Sequence, residues 1–200
     1  MKPIIYLATQ NKHKIDEIKD LLGDLFDFRT VFELGLAVEI PETGTTLTEN
    51  SMQKAQFIAE AYHGITCLAD DSGLEVEALG GAPGVYSARY AGEAKSDTAN
   101  VAKLIDELAG STNRKARFVT VLTLHHAGQY YVFEGEIQGQ INHKPVGSNG
   151  FGYDPVFVPE GMDKTFAELS LVEKNQIAHR ARSLQKFKKF VDDSRIFQMD

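Results

Sequence analysis

Apolar and polar positions follow one another along this chain in blocks that switch between strand and helix periods. Ile4 to Ala8 is a short continuous apolar run, the pattern of a strand buried on both faces. It ends in polar Thr9-Gln10-Asn11. Ile15, Ile18, Leu21 and Leu22 then fall on one helical face, with Gly23 as a stop signal. Phe28 to Ile40 alternates weakly and predicts an extended segment, closed by the turn Pro41-Glu42-Thr43-Gly44. Thr48 can cap a second helix carrying Met52, Ala55, Ile58, Ala59 and Tyr62, closed near Gly64. Ile65 to Ala69 predicts a second short strand, which runs straight into Asp70-Asp71-Ser72-Gly73. Gly80-Gly81-Ala82-Pro83-Gly84 is a loop. Ser96 or Asp97 caps a third helix with Val101, Leu104, Ile105 and Leu108. Ala116 to His125 and Tyr130 to Glu136 read as an antiparallel hairpin through His126-Ala127-Gly128-Gln129, with a shorter strand near Ile137 to Ile141. Gly147 to Asp154 is a glycine-rich loop holding two aromatics. Ser170-Leu171-Val172-Glu173 matches a capping box, and the last helix aligns Ile177, Ala181, Leu184, Phe187 and Val191. Helices interleaved among strands predict a mixed α/β fold.

Length and charge narrow the function. The 200 residues predict a single domain, 1–200, or two small lobes sharing one core. With 21 Lys and Arg against 28 Asp and Glu, the formal net charge is −7, which excludes a broad phosphate-neutralising nucleic-acid surface. A small polyphosphate in a locally basic pocket stays open. A single cysteine, Cys67, excludes an internal disulfide framework and a cysteine-based zinc site. No apolar run reaches the roughly 18 residues of a membrane span, and the N-terminal run is too short for a signal sequence. The expectation is a soluble cytoplasmic protein with no membrane partner.

Four polar groups can carry chemistry. Asp70-Asp71 follows an apolar strand, where paired carboxylates are costly unless a cation meets them. Ligands in open α/β sheets sit off the carboxyl ends of strands, and Mg²⁺ takes one or two carboxylates plus substrate phosphates. Side chains alternate along a strand, so Asp70 and Asp71 should diverge. The plainer reading is an Asx turn with solvated carboxylates. Thr9-Gln10-Asn11-Lys12-His13-Lys14 opens a helix, where N–H groups attract phosphate and Asn11 can cap; the plainer reading is a cap with surface lysines. Gly150-Phe151-Gly152-Tyr153-Asp154-Pro155 offers close backbone approach and aromatic faces for a flat base, or else a tight turn with both rings buried. Lys174 and Arg180 lie six positions apart on a helix, so they converge only if the chain bends near Ile177. His179 and Arg180 can donate to phosphate or a carbonyl oxygen, while Arg182, Lys186, Lys188 and Lys189 read as surface. Glu42, Glu49, Asn50 and Lys54 form a weaker group, in which Glu42 can be a second metal ligand. Cys67 reads as an inert core thiol, and His125-His126 as exposed.

Taken in order, Thr9-Gln10-Asn11-(x)₂-Lys14, Glu49-Asn50-(x)₃-Lys54-Ala55, Ala69-Asp70-Asp71-Ser72-Gly73-Leu74, Gly80 to Arg89, Gly150 to Pro155 and Glu173-Lys174-Asn175-(x)₃-His179-Arg180 resemble the inosine/xanthosine triphosphate pyrophosphatases. The resemblance spans about residues 9 to 180. It implies an elongated α/β fold of the Maf/Ham type: a long central mixed sheet, flanking helices and two lobes with a central cleft. It implies a homodimer that hydrolyses ITP, dITP and XTP to monophosphate and pyrophosphate with Mg²⁺. By position, Thr9, Gln10, Asn11, Lys12, His13, Lys14 and Lys54 would hold the triphosphate. Asp71 would be the catalytic carboxylate and a metal ligand, with Glu42 ahead of Glu49 as the second ligand. Ser72 would touch substrate, and Phe151, Gly152, Tyr153, Asp154, Lys174, His179 and Arg180 would hold the base and its surroundings. Two positions depart from the family: Gln10 stands where Gly is usual, and Ala178 where Ser is common. The competing readings are a Maf-like pyrophosphatase of other nucleotides and a non-catalytic nucleotide-binding regulator.

Overall fold

The computed structural model describes residues 1–36 and 39–197. One six-stranded mixed sheet runs in the order β2-β1-β3-β4-β5-β6. Its strands are β1 (Ile4–Leu7), β2 (Asp27–Thr30), β3 (Cys67–Val76), β4 (Lys115–His126), β5 (Gln129–Ile141) and β6 (Phe157–Pro159). The helices are α1 (Lys12–Leu22), α2 (Leu47–Ala61), α3 (Asp97–Glu107), α4 (Leu171–Ile177) and α5 (His179–Ser194). No described helix is long and apolar enough to cross a membrane.

The chain divides into two compact units, Met1–Asp71 with Thr120–Gly135 and Arg180–Asp200, and Ser72–Val119 with Glu136–His179. In the first, Ile5, Leu7, Ile18, Leu22, Phe26, Phe28, Leu68, Leu122, Leu124, Leu184 and Phe187 close one core, and Ala8, Val31, Ala55, Ile58, Cys67 and Ala69 a second. In the second, Leu74, Val101, Leu104, Leu108, Phe118, Phe157 and Phe166 are packed together, with the Phe118 and Phe157 rings 4.7 Å apart.

Several expected boundaries move, each for a local reason. The extended segment expected from Phe28 to Ile40 is a strand only to Thr30. There Glu33 reaches back to the Thr30 amide in a capping box, which starts a 3-10 turn over Val31–Leu34. Ala37 and Val38 of that segment lie outside the described residues. Helix α2 is capped by Thr46, not Thr48, because Glu49 closes the reciprocal box with it. The strand expected to stop at Ala69 continues through both aspartates to Val76, so the Asx turn does not form. β5 is continuous where two pieces were expected. It follows a tight turn in which Ala127 and Gly128 both take positive φ, at 49° and 77°. β6 has no strand signature in the sequence; it pairs antiparallel with the end of β5, Gly139 opposite Pro159. β1 is buried on both faces as expected, Ile5 and Leu7 facing one core and Tyr6, with Ala8 just past the strand, the other, and only Ile4 at its start is exposed. The last helix is two helices, because Ala178 adopts an extended backbone with ψ of 154°.

Candidate active site

β1 and β2 are parallel, as are β1 and β3, and β1 pairs with β3 at Tyr6 opposite Cys67 and Leu7 opposite Leu68. β3 therefore outruns its neighbour, and Asp70 and Asp71 lie on it beyond the end of β1. Alternation sends their side chains to opposite faces, as expected. Both are buried, at 1% and 7% exposure, so each carboxylate must find its own compensation.

Asp70 finds it in two cations. Arg180 Nε donates to Asp70 Oδ2 at 2.8 Å, and Lys14 Nζ donates to Asp70 Oδ1. The Arg180 guanidinium is itself buried and also donates to Glu17 on α1. Burial alone would raise the Asp70 pKa, but Arg180 and Lys14 hold it far below the carboxylate range.

Asp71 is treated differently. Lys54 Nζ donates to Asp71 Oδ1 at 2.9 Å, to the Asp70 carbonyl at 2.7 Å and to Glu42 Oε1 at 2.9 Å. Asp71 Oδ2 is buried and has no hydrogen-bond partner among the described residues. Burial pushes the Asp71 pKa up despite Lys54 and Lys14, while the carboxylates of Asp71 and Glu42 outweigh burial to keep Lys54 charged. Glu42 is brought to Lys54 by a latch on α2. Thr43 N donates to Gln53 Oε1 at 2.8 Å and Gly44 N to Asn50 Oδ1 at 2.7 Å. Glu49 is engaged elsewhere, accepting from Thr45 N at 2.7 Å, in its capping role. The carboxylates that meet Lys54 are thus Asp71 and Glu42.

The Thr9–Lys14 segment leads from β1 into α1. Asn11 Oδ1 accepts from the amides of His13 at 3.0 Å and Lys14 at 3.3 Å, so the cap takes two N–H groups that phosphate was expected to meet. Thr9 Oγ1 accepts from Asn11 N. Lys12, His13 and Gln10 are exposed. Among described non-glycine residues, positive φ occurs at Lys95, Ala127 and Arg195, so Gln10 sits in a backbone conformation that does not require glycine.

The second unit holds the glycine-rich loop. Gly150 has φ of 73°, and a Cβ there would stand 2.0 Å from Asp154 Oδ2, so only glycine fits. That oxygen accepts from Phe151 N at 2.9 Å and from Lys174 Nζ at 2.7 Å. The Lys174 ammonium also lies 4.9 Å from the Phe151 ring centroid and 5.6 Å from that of Phe166. Phe151 is half-buried. The Tyr153 ring is in the core and its hydroxyl donates to the Ser87 carbonyl at 2.9 Å, so of the two readings of this loop Tyr153 follows the buried one. His179 is buried and stacks on Phe118 at 4.7 Å and 11°. Ser72 is half-buried on β3.

Of the expected residues, Lys14, Lys54, Asp70, Asp71, Glu42 and Arg180 gather in the first unit, and Phe151, Asp154 and Lys174 in the second. The bend at Ala178 exists, and Lys174 and Arg180 serve different carboxylates. Glu17 was not anticipated; its signal is an acid three residues after Lys14 on the edge of an apolar face. His125 is buried against the Tyr130 ring, not exposed, because it faces the core one residue before β4 ends. Cys67 is buried, with its thiol pushed up to about 12 by burial. Arg182, Lys186, Lys188 and Lys189 are exposed as expected.

The chain is thus a mixed α/β protein with a buried lysine–aspartate cluster where one strand outruns its parallel neighbour. It belongs to the Ham1 family, whose model matches residues 5–190. The dITP/XTP pyrophosphatase of Flavobacterium johnsoniae is 46% identical over 181 residues, which cover 90% of this chain and 94% of that protein. The structure of the Staphylococcus aureus Ham1 protein matches with a TM-score of 0.88 and 42% identity, covering 96% of this chain and 99% of that one. A HAM1 protein structure from Coxiella burnetii matches with the same TM-score at 38% identity, covering 96% of this chain and 99% of that one.

Proposed function

We propose that this chain is a nucleoside-triphosphate pyrophosphatase that converts dITP, ITP and XTP to their monophosphates and pyrophosphate. The observation that carries the chemistry is Asp71 Oδ2, a buried carboxylate oxygen left without a protein partner beside a lysine. An oxygen held that way is an acceptor prepared for a cation or a water proton. The donor set of Asp71 and Glu42 suits Mg²⁺, which favours a few carboxylates and completes its shell with water and phosphate oxygens. No group of three or more His, Cys, Asp or Glu residues forms a closed metal cage among the described residues. Asp71 and Glu42 would hold the ion, which when bound neutralises charge on the triphosphate.

The chain's own residues do the rest. Lys14 and Lys54, with Thr9, Gln10, Asn11, Lys12 and His13, bind the triphosphate. Asp71 orients a water at the α-phosphorus and accepts its proton. The water oxygen forms a bond to phosphorus as the bond to the bridging β-phosphate oxygen breaks, and pyrophosphate leaves with that electron pair. Ser72 touches the substrate near Asp71. Phe151, Gly152, Tyr153, Asp154, Lys174 and His179 form the base end, with Phe151 offering the stacking face and Tyr153 contributing backbone, while Arg180, paired with Asp70 and Glu17, steadies the strand that carries Asp71. Donors such as Lys174 and His179 match the C6 carbonyl of hypoxanthine and xanthine. The amino group of adenine would leave them unpaired, at about 1–3 kcal/mol each. The active form is a homodimer in the cytoplasm, where the nucleotide pool is.

The test is pyrophosphate release from ITP, XTP, GTP, ATP and CTP, with and without Mg²⁺. Mg²⁺-dependent release confined to ITP and XTP is the expected result. Release from all five, or orthophosphate in its place, rejects the base-selection argument, and no release favours a nucleotide-binding regulator.

A further inference from the structure

The first turn of α3 reaches across to the glycine-rich loop. Asp97 is its first residue, but the cap is Ser96, whose Oγ accepts from Ala99 N at 3.3 Å. Asp97 is therefore not engaged in capping its own helix. Its Oδ2 instead accepts from the amide of Gly152 at 2.8 Å, 55 residues along the chain. Three residues on, and so on the same helical face, Asn100 is buried. It donates to the Ser87 and Ala88 carbonyls at 3.4 and 3.1 Å and accepts from Ala91 N at 2.7 Å. The Ser87 carbonyl also receives the Tyr153 hydroxyl. One helical turn thus grips the glycine-rich loop twice, at Gly152 directly and at Tyr153 through Ser87. Phe151 is the residue next to both, and its ring carries the face toward which Lys174 is set.

We propose that Asp97 is a positioning residue for base recognition: by holding the Gly152 amide it fixes the Phe151 ring against Lys174. This rests on the reading of the 150–154 loop as the base end. Phe151 is held on its N-terminal side by its own amide on Asp154 Oδ2, whereas Gly152, with φ of 62°, can adopt many backbone states once its amide is released, so the Asp97 bond is what fixes the other side of the ring. The charge of Asp97 also suits the first turn of α3, which makes Asp97→Asn the necessary control, since it keeps an acceptor oxygen and loses the charge.

The experiment compares the wild type with Asp97→Ala, Asp97→Asn, Phe151→Ala and the Asp97→Ala/Phe151→Ala double variant. Steady-state release from XTP is measured alongside deuterium exchange of the Gly152 amide in the substrate-free protein. Asp97→Ala should raise KM for XTP about 10- to 140-fold, the range one charge-assisted hydrogen bond commands, with kcat within about twofold. Gly152 should exchange faster, and Asp97→Asn should restore both readouts most of the way. In the Phe151→Ala background, Asp97→Ala should add less than about twofold, because the ring it positions is gone. Unchanged Gly152 exchange overturns the inference, as does a fall in kcat at constant KM or full multiplication of the two single effects. If the wild type releases no pyrophosphate from XTP, the functional reading fails. The exchange measurement then still decides whether Asp97 holds the loop.

Discussion

Asp70 and Asp71 are neighbours on one strand, yet one is neutralised by two cations while the other keeps an oxygen unsatisfied in the protein interior. Alternation along β3 produces this division. Asp70 turns to Arg180 and Lys14 and becomes part of the framework. Asp71 turns to Lys54 and remains chemically available.

Asp71→Asn should abolish turnover and leave the fold intact. The amide keeps the volume and the Lys54 contact but cannot accept a water proton. The expected loss is at least about 10³-fold in kcat, in line with removal of an essential general base. Near-normal turnover with an unchanged circular dichroism spectrum would remove Asp71 from the mechanism.

Asp70 should dominate the acid stability of the metal-free protein. Its carboxyl is held far below the ordinary value of 3.8 by Arg180 and Lys14. Near pH 3 to 4 the unfolded chain therefore takes up a proton that the folded chain does not, and stability falls as pH drops through about 4. Above that value the contribution is fully present. Asp70→Asn leaves Arg180 with a partner missing, so urea midpoints should show a loss of about 3–5 kcal/mol at pH 7 and a shallower decline in acid. An unaltered acid limb in the variant would show that other groups govern it.

Gly150→Ala should damage the base end specifically. The added Cβ would meet Asp154 Oδ2 at 2.0 Å in a backbone region that alanine avoids. Displacing that oxygen disconnects Phe151 N and Lys174 together. A stability loss of about 1–3 kcal/mol and a raised KM for XTP are expected, read by thermal melting and steady-state kinetics. A wild-type KM would mean that the Asp154 contacts are dispensable for binding.

Ala178→Ser should stabilise the protein. Ala178 precedes α5 with the extended backbone of a cap residue but carries no side-chain acceptor. A serine oxygen there can accept from amides in the first turn of α5. The gain should be about 0.5–2 kcal/mol, or about 2–4 °C per kcal/mol in melting temperature for a chain of this size. A lowered melting temperature would mean that the buried site does not accommodate the hydroxyl.

Much of the architecture is legible before folding is considered. Local periodicity is enough for α1, α2 and α3 and the β4–β5 hairpin, since one apolar face or one tight turn decides each of them. The ordered motifs likewise name Lys14, Lys54, Asp71, Asp154 and Lys174. What no local pattern carries is the length of β3, because a strand bearing two buried carboxylates is stable only once Arg180, Lys14 and Lys54 arrive from distant positions. β6 is equally invisible, three residues long and defined by its partner. The helix break at Ala178 has no glycine or proline to announce it. Only tertiary structure decides that Arg180 serves Asp70 and Glu17, that Tyr153 is core and Phe151 is not, and that Asp97 reaches Gly152. Hydrophobic periodicity is a property of neighbours in sequence, whereas the compensation of buried charge and the hydrogen bonds of loops belong to neighbours in space.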